Sequence, residues 1–168
     1  KPLTELQDGR SIMQQQHDNV QAAFGRTARI TTVVGYKAET IVEAFPNVDY
    51  VYNERYDQTN TSKSLLRALV ASGSGGVLWM NGDVVFDPRV LGRAIEFVER
   101  DESFVTVNTA SVSDEEVKYT VTAEGFIDEL SKTVVGGIGE AVGINYIASR
   151  EKAAFIAQLR RVGDQDYF

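Results

Sequence analysis

The chain has 168 residues, 43% hydrophobic and 24% charged, with 14 Gly, 3 Pro and no Cys, a composition that fits one compact domain with a sizeable core. Asp and Glu outnumber Lys and Arg by 24 to 17, for a formal charge of −7; this argues against a general nucleic-acid or anionic-membrane surface, so an anionic substrate must be held by local cations, amides or a metal. Without Cys, disulfides, thiolate metal sites and cysteine nucleophiles are excluded, a cytoplasmic location is expected, and no apolar run approaches the roughly 20 residues that span a bilayer.

The chain opens on KPLTEL, already apolar-patterned and without Met, and stops at GDQDYF without a tail, so both ends are expected to lie inside a longer domain. Ser11 with Gln14 forms a capping-box pattern, and Ile12, Met13, Gln16, Val20, Ala23 and Phe24 share one helical face up to Gly25. ARITTVVGY (28–36) reads as a strand, KAETIVEAF (37–45) as a short helix ended by Pro46, and VDYVYN (48–53) as a second strand. After polar ERYDQTNTS, residues 64–73 read as a helix with Leu65, Leu66 and Leu69 inward and Gly73 at its end. GVLWMNGD is a continuous apolar strand of the kind buried on both faces of a parallel sheet.

Asp87-Pro88 supplies an N-cap and an N1 proline before the helix RVLGRAIEFVER. Strands follow at 103–110, 117–122, 125–131 and 141–148, the middle two as a hairpin-like pair, and a last helix starts at Ser149 with Phe155, Ile156 and Leu159. This order predicts a single three-layer α/β/α domain over 1–168 with a mixed sheet.

One carboxylate stands out. Asp83 falls just past the carboxyl end of a strand, where ligands collect in open α/β sheets. Gly82 lets a ligand approach the backbone, and one carboxylate with phosphate oxygens and waters is how Mg²⁺ is usually held. Asn81-Gly82-Asp83 is equally good turn chemistry. Likewise, Thr59-Asn60-Thr61-Ser62 reads as a plain N-cap cluster, Lys118 as a solvated strand lysine and Glu140 as a turn carboxylate. Asn60 and Ser64 offer amide and hydroxyl groups to a pyrimidine edge. His17, the sole histidine, reads as a surface residue. GGIGEAVG (136–143) leads into a strand rather than a helix and is no dinucleotide fingerprint.

Read together, NERYDQTNTSKSLLRAL (53–69) and WMNGDVVF (79–86) resemble the nucleotidyltransferases that activate phosphorylated alcohols and sugars. The branch most resembled is the phosphocholine cytidylyltransferase-like one, through Asn53, Tyr56, Thr59-Asn60 and Ser64-Leu65. In family order, Lys1-Pro2-Leu3 matches the segment after the glycine-rich nucleotide loop, Glu116-Val117-Lys118 a Glu-x-Lys segment, and Gly139-Glu140 an acidic position beside the acceptor.

The resemblance implies a Rossmann-like nucleotidyltransferase domain with a mainly parallel sheet. It implies a glycine-rich loop just upstream of Lys1 and a second metal-binding Asp beyond Phe168. The activity implied is transfer of CMP from CTP to a small phosphorylated alcohol such as phosphocholine, with Mg²⁺ as cofactor. Asp83 would bind the metal, and Lys1 and Lys118 would neutralise phosphates. Asn53, Thr59, Asn60, Ser64 and Gly82 would hold the nucleotide, and Glu140 and Tyr146 the acceptor. A sugar- or inositol-phosphate acceptor and a catalytically silent nucleotide-binding domain are the alternatives. Expected partners are the nucleoside triphosphate, the acceptor and at most a second copy of the chain, with no nucleic acid and no membrane insertion.

Overall fold

The computed structural model describes residues 1–110 and 116–164; the last four residues of the GDQDYF end lie outside the described residues. Helix α1 (Ile12–Phe24) starts where the Ser11 hydroxyl accepts the Gln14 amide at 3.1 Å and stops at Gly25, φ +83°, whose amide returns to Gln21 O. Strand β1 (Thr31–Val34), helix α2 (Ala38–Ala44) and strand β2 (Asp49–Tyr52) form a right-length crossover unit. Its strands pair in parallel from Thr31↔Asp49 to Val34↔Tyr52. His17 is half-buried rather than at the surface, with its ring edge-on to Phe45 at 5.1 Å.

Helix α3 (Thr61–Ala71) begins three residues earlier than the apolar pattern indicates, because the Asn60 side chain accepts the Thr61 amide at 2.8 Å. Strand β3 (Val77–Met80) follows, then helix α4 (Arg89–Glu99). Pro88 has helical dihedrals, φ −55° and ψ −24°, and Asp87 Oδ1 accepts the Arg89 amide at 2.9 Å, the arrangement expected of an Asp-Pro helix start. The rest is β4 (Phe104–Asn108), the β5 (Lys118–Val121) and β6 (Ile127–Ser131) hairpin, β7 (Glu140–Ile147) and α5 (Ser149–Arg161). No helix among the described residues is long and apolar enough to cross a membrane.

The strand pairing departs from the mainly parallel expectation. β3 and β4, joined by α4, run in the same direction, but β7 lies between them, pairing Tyr146 with Leu78 on one edge and with Phe104 on the other. Every ladder of this five-stranded sheet is therefore antiparallel. A βαβ alternation fixes strand direction but does not reveal that a later strand will be inserted between the two. β3 is also only half-buried. Among the described residues it pairs with β7 alone and β1 pairs with β2 alone, and both strands line one cavity of about 730 Å³ between α1 and α3.

The main core joins Leu65, Leu69 and Leu159, with Leu66, Val77, Trp79, Ile147, Phe155 and Ile156 packed on it. Burial of each such Leu stabilises the fold by about 1.5–3 kcal/mol. Two lysines tie α3 to α5 across this core. Lys63 Nζ donates to Leu159 O and Val162 O at the carbonyl end of α5, and buried Lys152 donates to Ser72 Oγ, Gly73 O and Gly75 O beyond the end of α3.

Candidate active site

The turn leaving β3 is closed by Val84 N donating to Asn81 O at 3.3 Å, and tied to β7 by Asn81 N donating to Gly143 O at 2.9 Å. Asp83 is the side chain it presents. The opening residues of the chain come to the same place. Pro2 packs against Gly82, close enough that a β-carbon there would stand 3.4 Å from Pro2 Cγ, an ordinary van der Waals contact. Lys1 Nζ then lies 3.2 Å from Asp83 Oδ2, both side chains well exposed.

These residues line a cleft of about 800 Å³ that Asn60, Thr61, Glu116, Lys132 and Glu140 also border. The structure thus brings together Lys1, Asn60, Gly82, Asp83 and Glu140 from the sequence reading. Glu140 arrives because β7 runs antiparallel to β3: Met80 pairs with Ile144, so the start of β7 lies beside the end of β3. Lys118 is the in-register partner of Glu140 on β5 but is not among the described residues that line the cleft.

Tyr146 does not reach this cleft. The same antiparallel direction puts it beside Leu78, toward the opposite end of β3. There it is 6% exposed, stacked on Phe104 at 5.9 Å, and its hydroxyl donates to Asp101 Oδ1 at 2.8 Å. Burial, and then that hydrogen bond, push the phenol up to about 12.

Asn53, Thr59 and Ser64 bond one another instead of presenting free groups. Asn53 is 1% exposed, and its Nδ2 donates to Thr59 Oγ1 at 3.0 Å and Ser64 Oγ at 3.1 Å, while its Oδ1 accepts the Arg55 amide at 3.2 Å. The network fixes the loop between β2 and α3. Sequence reasoning missed Lys132, although Lys118 pairs with Ser131 in the β5–β6 hairpin, so the residue after Ser131 could have been placed near Lys118 from the hairpin register.

Electrostatically, among the described residues lining the cleft Lys1 and Lys132 face Asp83, Glu116 and Glu140, two cations against three carboxylates. A polyphosphate would enter such a cleft only with added positive charge. No group of three or more His, Cys, Asp or Glu able to hold a metal exists among the described residues. A cage made by the protein alone is therefore not formed by them. One exposed carboxylate at the mouth of a cleft suits a Mg²⁺ that shares its remaining coordination between phosphate oxygens and water.

A family model, the MobA-like NTP transferase domain, matches residues 1–161. Among solved structures, the chain is similar to the inositol-1-phosphate CTP transferase from T. maritima, with a TM-score of 0.70 and 17% identity over 90% of this chain and 63% of that one. It is similar to the CTP:phosphocholine cytidylyltransferase from Streptococcus pneumoniae, with a TM-score of 0.64 and 14% identity over 95% of this chain and 66% of that one. A UDP-glucose pyrophosphorylase complexed with UDP-glucose gives a TM-score of 0.72 at 12% identity, over 98% of this chain and 75% of that one. The chain thus spans somewhat less than two thirds of the first two enzymes' length, and likeness at these identities shows the fold. No curated protein is a significant match.

Proposed function

The chain belongs to the MobA-like NTP transferase domain family, and on that footing we propose that it transfers a nucleoside monophosphate, CMP from CTP, to a small phosphorylated acceptor. An acceptor phosphate oxygen attacks the α-phosphorus, the bond to the bridging oxygen breaks, and pyrophosphate leaves with that electron pair. Such chemistry needs positioning and charge neutralisation more than a covalent nucleophile. The observation that carries the reading is the Lys1–Asp83 pair, 3.2 Å apart at the exit of β3.

Lys1 neutralises triphosphate oxygens, Lys132 on the cleft wall holds the acceptor phosphate, and Lys118, cross-strand from Glu140, adds positive charge beside it. Asp83 would hold Mg²⁺, which would supply Lewis-acid charge to the phosphate oxygens. Asn60 and Thr61, at the start of α3 on the cleft wall, offer polar groups to the nucleotide. The resemblance of residues 53–65 to the cytidylyltransferase branch supports CTP as donor.

A second reading concerns the acceptor. Glu116 and Glu140 both line the cleft, and carboxylates accept hydrogen bonds from hydroxyl groups. This supports a polyol phosphate, of the sugar or inositol kind, held by Glu116 and Glu140. The test is pyrophosphate release with each of CTP, UTP, GTP and ATP against phosphocholine, inositol 1-phosphate and glucose 1-phosphate. Release with CTP and one acceptor is expected. Nucleotide binding without release from any pair would leave a silent nucleotide-binding domain instead.

A further inference from the structure

The turn carrying Asp83 has no regular secondary structure between Asn81 and Pro88, yet its carbonyls are gripped from α1. Gln16 is 6% exposed, and its Nε2 donates to Asn81 O at 2.9 Å and to Val84 O at 2.8 Å. One amide group therefore spans both ends of the turn that contains Asp83. Asn19, also 6% exposed and three residues further along the same helix face, donates through Nδ2 to Phe86 O at 3.1 Å.

The other half of the pair is anchored to the same helix. Met13 N donates to Pro2 O at 2.9 Å and Ile12 N to Thr4 O at 3.0 Å. These are first-turn amides, which have no acceptor within the helix. They hold the segment that begins with Lys1. Helix α1 thus binds the Lys1 segment with its first-turn amides and the Asp83 turn with Gln16, one turn later.

We infer that Gln16 is a positioning residue, setting the separation of Asp83 from Lys1 through the carbonyls of Asn81 and Val84. Two polar side chains buried on the core face of an amphipathic helix cost desolvation unless fully bonded. The core alone would be served by apolar residues there. The kinetic consequence rests on the transferase reading above; the geometric one does not.

The variant that isolates the effect is Gln16→Met, which keeps length and apolar volume but removes both donors. Misplacement of a reacting group by about 1 Å costs up to roughly a hundredfold in rate. The expected result is a kcat lowered on the order of tenfold to a hundredfold, with the KM for CTP within about twofold. Amide hydrogen exchange should quicken at Val84, whose N–H donates to Asn81 O at 3.3 Å, and stay unchanged in β2. Unaltered kcat with unaltered exchange would overturn the inference, as would a rise in KM alone.

If the wild-type protein releases no pyrophosphate from any nucleotide, the transferase reading falls and the exchange pattern alone decides the role of Gln16. Should Gln16→Met not fold, Asn19→Ala supplies the measurement. With Gln16 still in place, exchange should quicken beyond Phe86 and leave the Val84 amide, bonded to Asn81 O, protected. Loss of protection at Val84 in Asn19→Ala would assign the grip to Asn19 and overturn the inference.

Discussion

Asn53→Ala separates a nucleotide-reading asparagine from a structural one. The side chain is 1% exposed and makes three hydrogen bonds of 3.0 to 3.2 Å, to Thr59, Ser64 and the Arg55 amide. Each is worth about 1 kcal/mol net. The truncated amide also leaves a small void and an Arg55 amide that must find water, so the expected loss is about 2–4 kcal/mol. For a domain of this size, each kcal/mol moves Tm by about 2–4 °C, giving a fall of roughly 5–15 °C.

Urea unfolding followed by the fluorescence of Trp79 measures this loss directly. The midpoint should drop with the slope unchanged, since the folded and unfolded states keep their surfaces. Calorimetric titration with Mg²⁺-CTP, well below the transition, should show affinity altered by less than about threefold, under 0.7 kcal/mol. A variant as stable as wild type but with affinity lost tenfold or more would refute the structural assignment and return Asn53 to the nucleotide.

Gly143 has φ +74°, and a β-carbon there would meet Asn81 Nδ2 at 2.5 Å; Gly143→Ala should cost about 1–3 kcal/mol in chemical denaturation and shift the Asp83 turn, seen as altered amide signals for residues 81–84. Tyr146→Phe should lower Tm while leaving the KM for nucleotide and acceptor unchanged, because the lost hydroxyl bonds Asp101 and not the cleft. Its phenol is raised in the fold to about 12, so wild-type stability should fall as pH rises from about 10 to 12, and this slope should flatten in the Phe variant. Burial holds the His17 imidazole below its ordinary value. The unfolded chain then binds the extra proton, and stability is full above about 6.5 and declines as pH falls below it; the imidazole signal by NMR should titrate below that value, and His17→Gln should remove this part of the decline.

Local signals in the sequence carried most of the elements. Ser11 with Gln14, Gly25, Pro46 and Asp87-Pro88 mark helix ends because each satisfies or breaks specific backbone bonds within a few residues. Strand positions followed from β-branched runs for the same local reason. The position of Asp83 was legible because a carboxylate at the exit of an apolar strand needs only chain order to be noticed. Tyr146 and Glu140 were not separable, since both lie on β7 and only its direction relative to β3 decides which end faces the cleft. Asn53 and Ser64 carried the right chemistry for a ligand, but a polar side chain satisfied by its neighbours looks the same in sequence as one that waits for a nucleotide. Gln16 looked like an ordinary member of an amphipathic face, and its partners, 65 and 68 residues away, are brought to it by the fold alone.

The most direct test of the catalytic reading is Mg²⁺-dependent pyrophosphate release by Asp83→Asn, with the thermal transition recorded on the same sample. The substitution keeps the shape of the side chain and removes its charge. Because Asp83 is 45% exposed and its pair with Lys1 lies at the surface, the transition should stay close to that of the unsubstituted protein. Release should fall by at least a hundredfold, the scale of losing one preorganised electrostatic contact in a transition state. Turnover at the unsubstituted rate, with the fold intact, would contradict the assignment of Asp83 and with it the placement of the reaction at the exit of β3.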